Sequence, residues 1–237
     1  MKNIIGNVLM SFAILGWIKA EIVFPEDGVT LNYTHIMFRW TQDPDCNLYN
    51  LVAINSSNDT TMDIHTGRTM YIDQTNFNWG QGYVAMLTPI YENENNAQTT
   101  DTISFNIGPA YTFADLNIEI INAEDIQDGL ALFSQVSPNF RMVAIDKLGN
   151  QVWNSEFAYI NHWNEHGQLF GMKDGRGVEV NFYDDILWMT PSGTEIDAHE
   201  IKQIPNGNYM GITTEYQLGP IPIGPWTESY QNLGYVA

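Results

Sequence analysis

The chain has 237 residues, with 28 acidic against 9 basic side chains and a formal charge of −19. A field of that sign repels nucleic acid and anionic membrane surfaces, which removes both as expected partners. The length allows one or two domains and a sizeable core.

Residues 1–20 read MKNIIGNVLMSFAILGWIKA. Lys2 precedes an apolar run from Val8 to Ile18, and Lys19-Ala20 follow before Glu21. A short basic region, an apolar stretch and a small residue at the cut form the pattern of a secretory signal peptide. The run of 11 residues falls short of the ~20 that a spanning helix needs. No membrane span is therefore expected in the mature chain, and the expected location is secreted, periplasmic or cell-surface. Lys2 and Lys19 both fall in the leader and no acidic residue does, so the remaining 217 residues carry seven basic and 28 acidic side chains, or −21. Cys46 is the single cysteine. An exported chain without a disulfide relies on its core, which fits bacterial export better than a small animal ectodomain.

After the leader, short runs of Val, Ile, Tyr, Phe and Trp alternate with Gly, Asn, Asp and Pro clusters every 8–12 residues. That pattern predicts an all-β chain. One weak helix is expected around Asn122–Asp128. In 22–107, IVFPEDGVTL opens with a proline-marked edge strand, and HIMFRW (35–40) places Ile36, Phe38 and Trp40 on one face. LYNLVAI (48–54), MYID (70–73), WGQGYVAMLTPIY (79–91) and DTISFNI (101–107) follow as strands. An early Trp, a later Tyr-containing strand and this span resemble a fibronectin type III domain, an Ig-like β-sandwich. Such domains usually serve as spacers or binding modules. GPAYTFADLN (108–117) is the expected linker.

Residues 118–237 repeat. DGLALF (128–133), HGQLFGM (166–172) and NGNYMGI (206–212) each set a glycine ahead of a short apolar strand, with Gly129, Gly167 and Gly207 spaced 38 and 40 apart. VAIDKLGNQVW (143–153) matches LWMTPSGTEI (187–196), with Gly149 and Gly193 44 apart. A period near 40 built from several strands predicts β-propeller blades, which must stack on neighbours to bury their faces. The region has room for about two to three blades where closed rings use about 4–8. The expectation is an incomplete propeller, either a truncated reading frame or a chain that self-associates through open propeller edges.

The stretch DAHEIKQIPNGNY (197–209) resembles a motif of the bacterial aryl sulfotransferases, in which a histidine and an acidic residue precede a strand ending in Leu-Pro-Asn-Gly-Asn. VAIDKLGNQVW is similar to blade strands of that family, and a fibronectin-like domain ahead of a propeller resembles the arrangement of its exported members. The resemblance covers roughly residues 117–237. It implies transfer of a sulfuryl group from a phenolic sulfate to a phenol through a histidine, without a nucleotide or any other cofactor. On that reading His199 is the nucleophile and Asp197 or Glu200 orients its ring. Lys202 and Arg176 are the nearby basic candidates for the sulfate oxygens. GPIPIGPW (219–226) is a proline-stiffened loop that would line the cavity beside Trp226. Imidazole suits the task because its ordinary pKa, roughly 6.5, leaves much of it neutral and nucleophilic at neutral pH. The family motif often has a second histidine where this chain has Ala198. Its other histidines and sulfate-binding arginine are expected in later blades, which argues against turnover by this chain alone.

Two further readings stand beside this one. His199 can be a strand-end histidine bonded to Asp197 or Glu200. His162 and His166 have i,i+4 spacing suited to a metal pair on a helix, but the Asn, Gly and Trp around them argue for a loop, and no metal site is expected. The alternative function is a non-enzymatic surface or secreted binding and adhesion protein, whose aromatic loops meet glycans or a partner.

Overall fold

The computed structural model describes residues 19–92, 100–111, 119–135, 141–156, 158–197, 199–215 and 234–236. Residues 1–18, where most of the expected signal peptide falls, Ala198, Trp226 and the GPIPIGPW stretch lie outside the described residues. The described chain is nearly all β, arranged in several small sheets, none of them closed. The expected helix is a three-residue 3-10 turn, Ala123–Asp125. Asn122 caps its start: its side-chain oxygen takes the Glu124 N–H, and its amide donates to Asp125 at 2.5 Å.

Two compact units divide the chain. The first holds residues up to Val29, Ile36–Phe77 and Gln81–Asn106. The strands of residues 22–107 are β1 (Ile22–Phe24), β2 (Val29–Leu31), β3 (Ile36–Trp40), β4 (Leu48–Asn55), β5 (Thr60–Thr66), β6 (Met70–Asp73), β7 (Gly82–Ile90) and β8 (Asp101–Ile107). They form a three-stranded sheet in the order β1-β3-β6 and a five-stranded sheet in the order β2-β8-β7-β4-β5. Ile36, Phe38 and Trp40 do share one buried face, as the alternation requires. Phe38 meets Phe105 of β8 edge-on at 5.9 Å, and Trp40 meets Tyr49 of β4 at 5.6 Å. β5 was not expected from its sequence. TTMDIHT has one inward hydrophobe, Met62, so its alternation is faint. Cys46 is buried, and its thiol donates to the Leu48 carbonyl at 2.9 Å.

The second unit comprises Thr30–His35, Asn78–Gly80 and residues from Ile107 onward. β9 (Ala131–Gln135), β10 (Arg141–Ile145) and β11 (Gln151–Ser155) pair in the order β11-β10-β9. β12 (Tyr159–Trp163), β13 (Leu169–Lys173), β14 (Arg176–Val180) and β15 (Ile186–Met189) make a four-stranded antiparallel meander in chain order. β16 (Ile201–Gln203) pairs with β17 (Tyr209–Gly211), and β18 (Thr213–Glu215) with β19 (Gly234–Val236). The segment Asn32–Thr34 lies along β11: Thr34 N–H donates to Val152 O at 2.9 Å and Asn154 N–H to Asn32 O at 3.0 Å. Both faces of the meander are covered. Leu169, Val178 and Val180 pack with Met142, Val152 and Trp153 on one side. Phe170, Glu179 and Trp188, in register across three strands, face the other. Phe170 there packs with Ile196 and Ile201. This explains the unbroken buried run of β14, where cover on both faces removes the alternation.

The hairpins share a loop chemistry. Asp146, Asn164 and Asn181 each accept, on one side-chain oxygen, the N–H groups two and four residues ahead, at 2.8–3.1 Å. The residue three ahead takes a left-handed backbone: Gly149 at φ 81°, Gly167 at 75° and Asp184 at 65°. Asn55 builds the same loop in the first unit, with Asn58 at 64°. Of the recurring glycines, Gly149 and Gly167 mark this Asx-capped turn. The expected match between 143–153 and 187–196 does not extend to a second strand. Thr194 N–H closes back on Pro191 O at 3.1 Å, and Ile196 enters the core outside any strand.

Asp184 gives a pH test. Burial, the dominant influence, raises its carboxyl above the ordinary 3.8, while Ser155 Oγ donates to it at 2.6 Å. A native state that holds this proton more tightly than the unfolded chain loses stability as pH rises from 3.8 through the raised value. Asn tolerates the left-handed backbone and can still accept from Ser155. Asp184→Asn is expected to raise the urea midpoint near neutral pH, with the gain vanishing below pH 3.8. Equal gains at both pH values would refute the assignment.

Candidate functional site

The segment between β15 and β16 positions His199. Asp197 N–H donates to Ile212 O at 2.7 Å, and Ile212 N–H donates to Glu200 O at 3.3 Å, which ties both ends of the segment to the end of β17. Within it, Asp197 Oδ1 accepts the His199 backbone N–H at 2.9 Å and contacts His199 Nδ1. Those two bonds, the ring's first, hold the Asp197 carboxyl below the usual aspartate range. The ring is oriented through Nδ1, and Nε2 has no partner among the described residues. The His199 side chain is 84% exposed, against 25% for Asp197.

The other expected residues are not gathered around that ring. Glu200 pairs with Lys202, which holds the Glu200 carboxyl below its ordinary value. Arg176, at the start of β14, turns its Nε to the Thr190 carbonyl at 2.9 Å. Neither cation contacts His199, so the described residues supply an exposed imidazole and its orienting carboxylate without a clamp for an anion. His162 sits in β12 opposite Phe170, on a strand rather than the expected loop, with its ring tilted on Phe170 at 5.8 Å. His166 lies in an Asx-capped loop, its Nε2 3.8 Å from Glu165 in solvent. No group of three or more His, Cys, Asp or Glu residues among the described residues is placed to hold a metal.

Sequence reasoning missed a polar network beside this segment. Glu179, 3% exposed, accepts from Gln168 Nε2 at 2.5 Å and from the Tyr209 hydroxyl. Burial first, then the Glu179 carboxylate, push the Tyr209 pKa up to about 12, so it stays a donor. Tyr209 stacks face to face on Trp188, with ring centroids 3.6 Å apart and planes within 2°. Trp188, Tyr209, Thr190, Thr213, Ile196 and Ile201 line an open cleft of about 630 Å³. Ile196 and Ile201 bracket residues 197–200, so the segment that carries His199 borders this aromatic wall. The one available signal was the lone acid in GVEV (177–180), a charge inside an apolar run.

The comparisons assign no relative to this geometry: no protein-family model matches the chain, and no curated protein matches it.

Proposed function

We propose that the chain is an exported protein of the aryl sulfotransferase type, a fibronectin III-like sandwich followed by β-propeller blades, which moves a sulfuryl group from a phenolic sulfate to a phenol through His199. The Asp197–His199 pair carries the reading. With Nδ1 engaged, Nε2 holds the lone pair and attacks sulfur. The S–O bond to the aryl group breaks and its electron pair leaves with the phenolate, which takes a proton from water. Asp197 balances the charge of the N-sulfuryl imidazolium. The acceptor phenol then attacks sulfur, the S–N bond breaks with its electrons returning to Nε2, and the phenol proton passes to solvent. The Trp188–Tyr209 wall offers a ring surface for aryl groups. The four-stranded meander with both faces covered supports the blade reading, and the leader sequence supports export.

The test uses the full chain with 4-nitrophenyl sulfate and a phenol acceptor. Nitrophenolate release that depends on the phenol and falls at least a hundredfold in His199→Ala, within the ~10²–10⁴ range for a positioned catalytic group, is the expected result. Release that ignores the substitution, or none at all, removes the reading.

One observation favours a second reading. The ring stands largely in solvent, and both candidate cations are held elsewhere. This suits a non-enzymatic binding or adhesion protein, for which glycan-array binding that survives His199→Ala would be the mark.

A further inference from the structure

Acidic side chains outnumber basic ones by 28 to 9, and most described cations have a partner. Arg141 lies 2.9 Å from Glu156 and Lys147 2.5 Å from Asp128; Lys202 holds Glu200, and Arg176 the Thr190 carbonyl. Arg39 and Arg68 are different. Both are exposed, and neither has a side-chain partner among the described residues. Both also stand at β6: Arg39 is opposite Met70 in the β3–β6 register, and Arg68 precedes Met70 by two residues. In a chain this acidic, two unneutralised guanidinium groups at one strand form a local field of opposite sign to the rest.

The strand between them is built to accept a neighbour. β6 is an outer strand of its sheet. Trp40 N–H donates to Thr69 O at 3.0 Å. The antiparallel alternation therefore directs the peptide groups of Thr69 and Tyr71 toward β3 and those of Met70 and Ile72 toward the open edge. Met70 and Ile72 are 48% and 51% exposed, and Met37 lies opposite Ile72. A cleft of about 510 Å³ runs along the strand, lined by His65, Arg68, Met70, Tyr71 and Ile72. Among the described residues, neither a proline nor a charge guards the centre of this short edge. β5 carries Asp63 and His65, but β6 has no charge before Asp73, which is buried and occupied by Thr75 and Asn76.

We propose that the open edge of β6 binds an extended segment of a partner protein that carries both apolar and acidic side chains. Backbone hydrogen bonds to Met70 and Ile72 supply the pairing, apolar side chains cover the exposed Met70 and Ile72, and carboxylates meet Arg39 and Arg68. The proposal is independent of sulfuryl transfer, since every residue in it belongs to the first unit.

The probe is a fluorescein-labelled peptide with a Val-Ile-Val centre flanked by glutamates, titrated with the full chain and read by anisotropy. A lysine-flanked counterpart is the control. The expected result is saturable binding of the acidic peptide only, weakened at least about tenfold by Arg39→Glu with Arg68→Glu. Ile72→Pro, which removes an edge N–H, should weaken it as well, with an unchanged circular dichroism spectrum. No binding, equal binding of both peptides, or binding unaffected by the glutamate substitutions overturns the proposal. Sedimentation that shows a dimer dissolved by those same substitutions also overturns it, because the edge then belongs to a second copy of this chain.

Discussion

Gly171→Ala is expected to unfold the second unit under conditions where the wild type is stable. Gly171 sits in β13 opposite Ile160 of β12, next to a register shift between Ile160 and His162. A methyl group there would lie 2.7 Å from the Tyr159 carbonyl carbon and 2.8 Å from Ile160 Cα. These are backbone atoms of the paired strand, which cannot turn aside as a side chain can. Relief requires β12 and β13 to part, at the cost of ladder bonds and of the packing of Leu169 and Phe170 on opposite faces. We expect a loss of about 3 kcal/mol or more, at the upper end of overpacking costs. Urea denaturation followed by circular dichroism measures it, and a wild-type midpoint would refute it. Gly175→Ala is the control. That glycine is left-handed at φ 75° with open space around it, so alanine there meets backbone strain but no clash, a cost of roughly 1 kcal/mol.

Phe105→Ala should produce a comparable loss in the first unit. Phe105 is 1% exposed and joins the two sheets. Its ring lies 5.9 Å from Phe38, 5.8 Å from Phe77 and 5.6 Å from Tyr83. Three aromatic neighbours anchored on separate segments cannot all collapse into the space, so a cavity remains. The expected cost is about 3–5 kcal/mol, and each kcal/mol lowers the melting temperature of a unit this size by about 4–8 °C. Phe105→Leu, which keeps most of the volume, should cost less than half as much. Equal melting temperatures for wild type and Phe105→Ala would show that this cluster is not the core of the unit.

The sequence was most readable where one residue type answers to one physical need. Ile36, Phe38 and Trp40 alternate because one face of β3 is buried, and the structure buries all three. Gly149 and Gly167 marked turns because a left-handed position favours glycine. The equivalent turn at Asp184 escaped notice because an aspartate fills that position. β5 was invisible because a strand with one inward hydrophobe has almost no period. Nothing in LNYTHI (31–36) indicates that Asn32 bonds to Asn154, 122 residues away. The site divides in the same way. Asp197 and His199 are two positions apart, so their pairing could be proposed from spacing alone. Glu179 and Tyr209 are 30 apart on different strands, and Arg176 turned to the Thr190 carbonyl 14 positions away, pairings that spacing does not reveal.

The Asx-capped loops bear on the order in which the chain assembles. Asp146, Asn164 and Asn181 each close a hairpin between consecutive strands, so the meander from β12 to β15 needs only contacts between neighbours in sequence. The first unit must instead bring Asp27 to Ser104 across 77 positions before its five-stranded sheet is complete. Loop-closure entropy makes such distant meetings slow. In refolding, the amides of the β12–β15 meander should therefore gain protection before those of the five-stranded sheet.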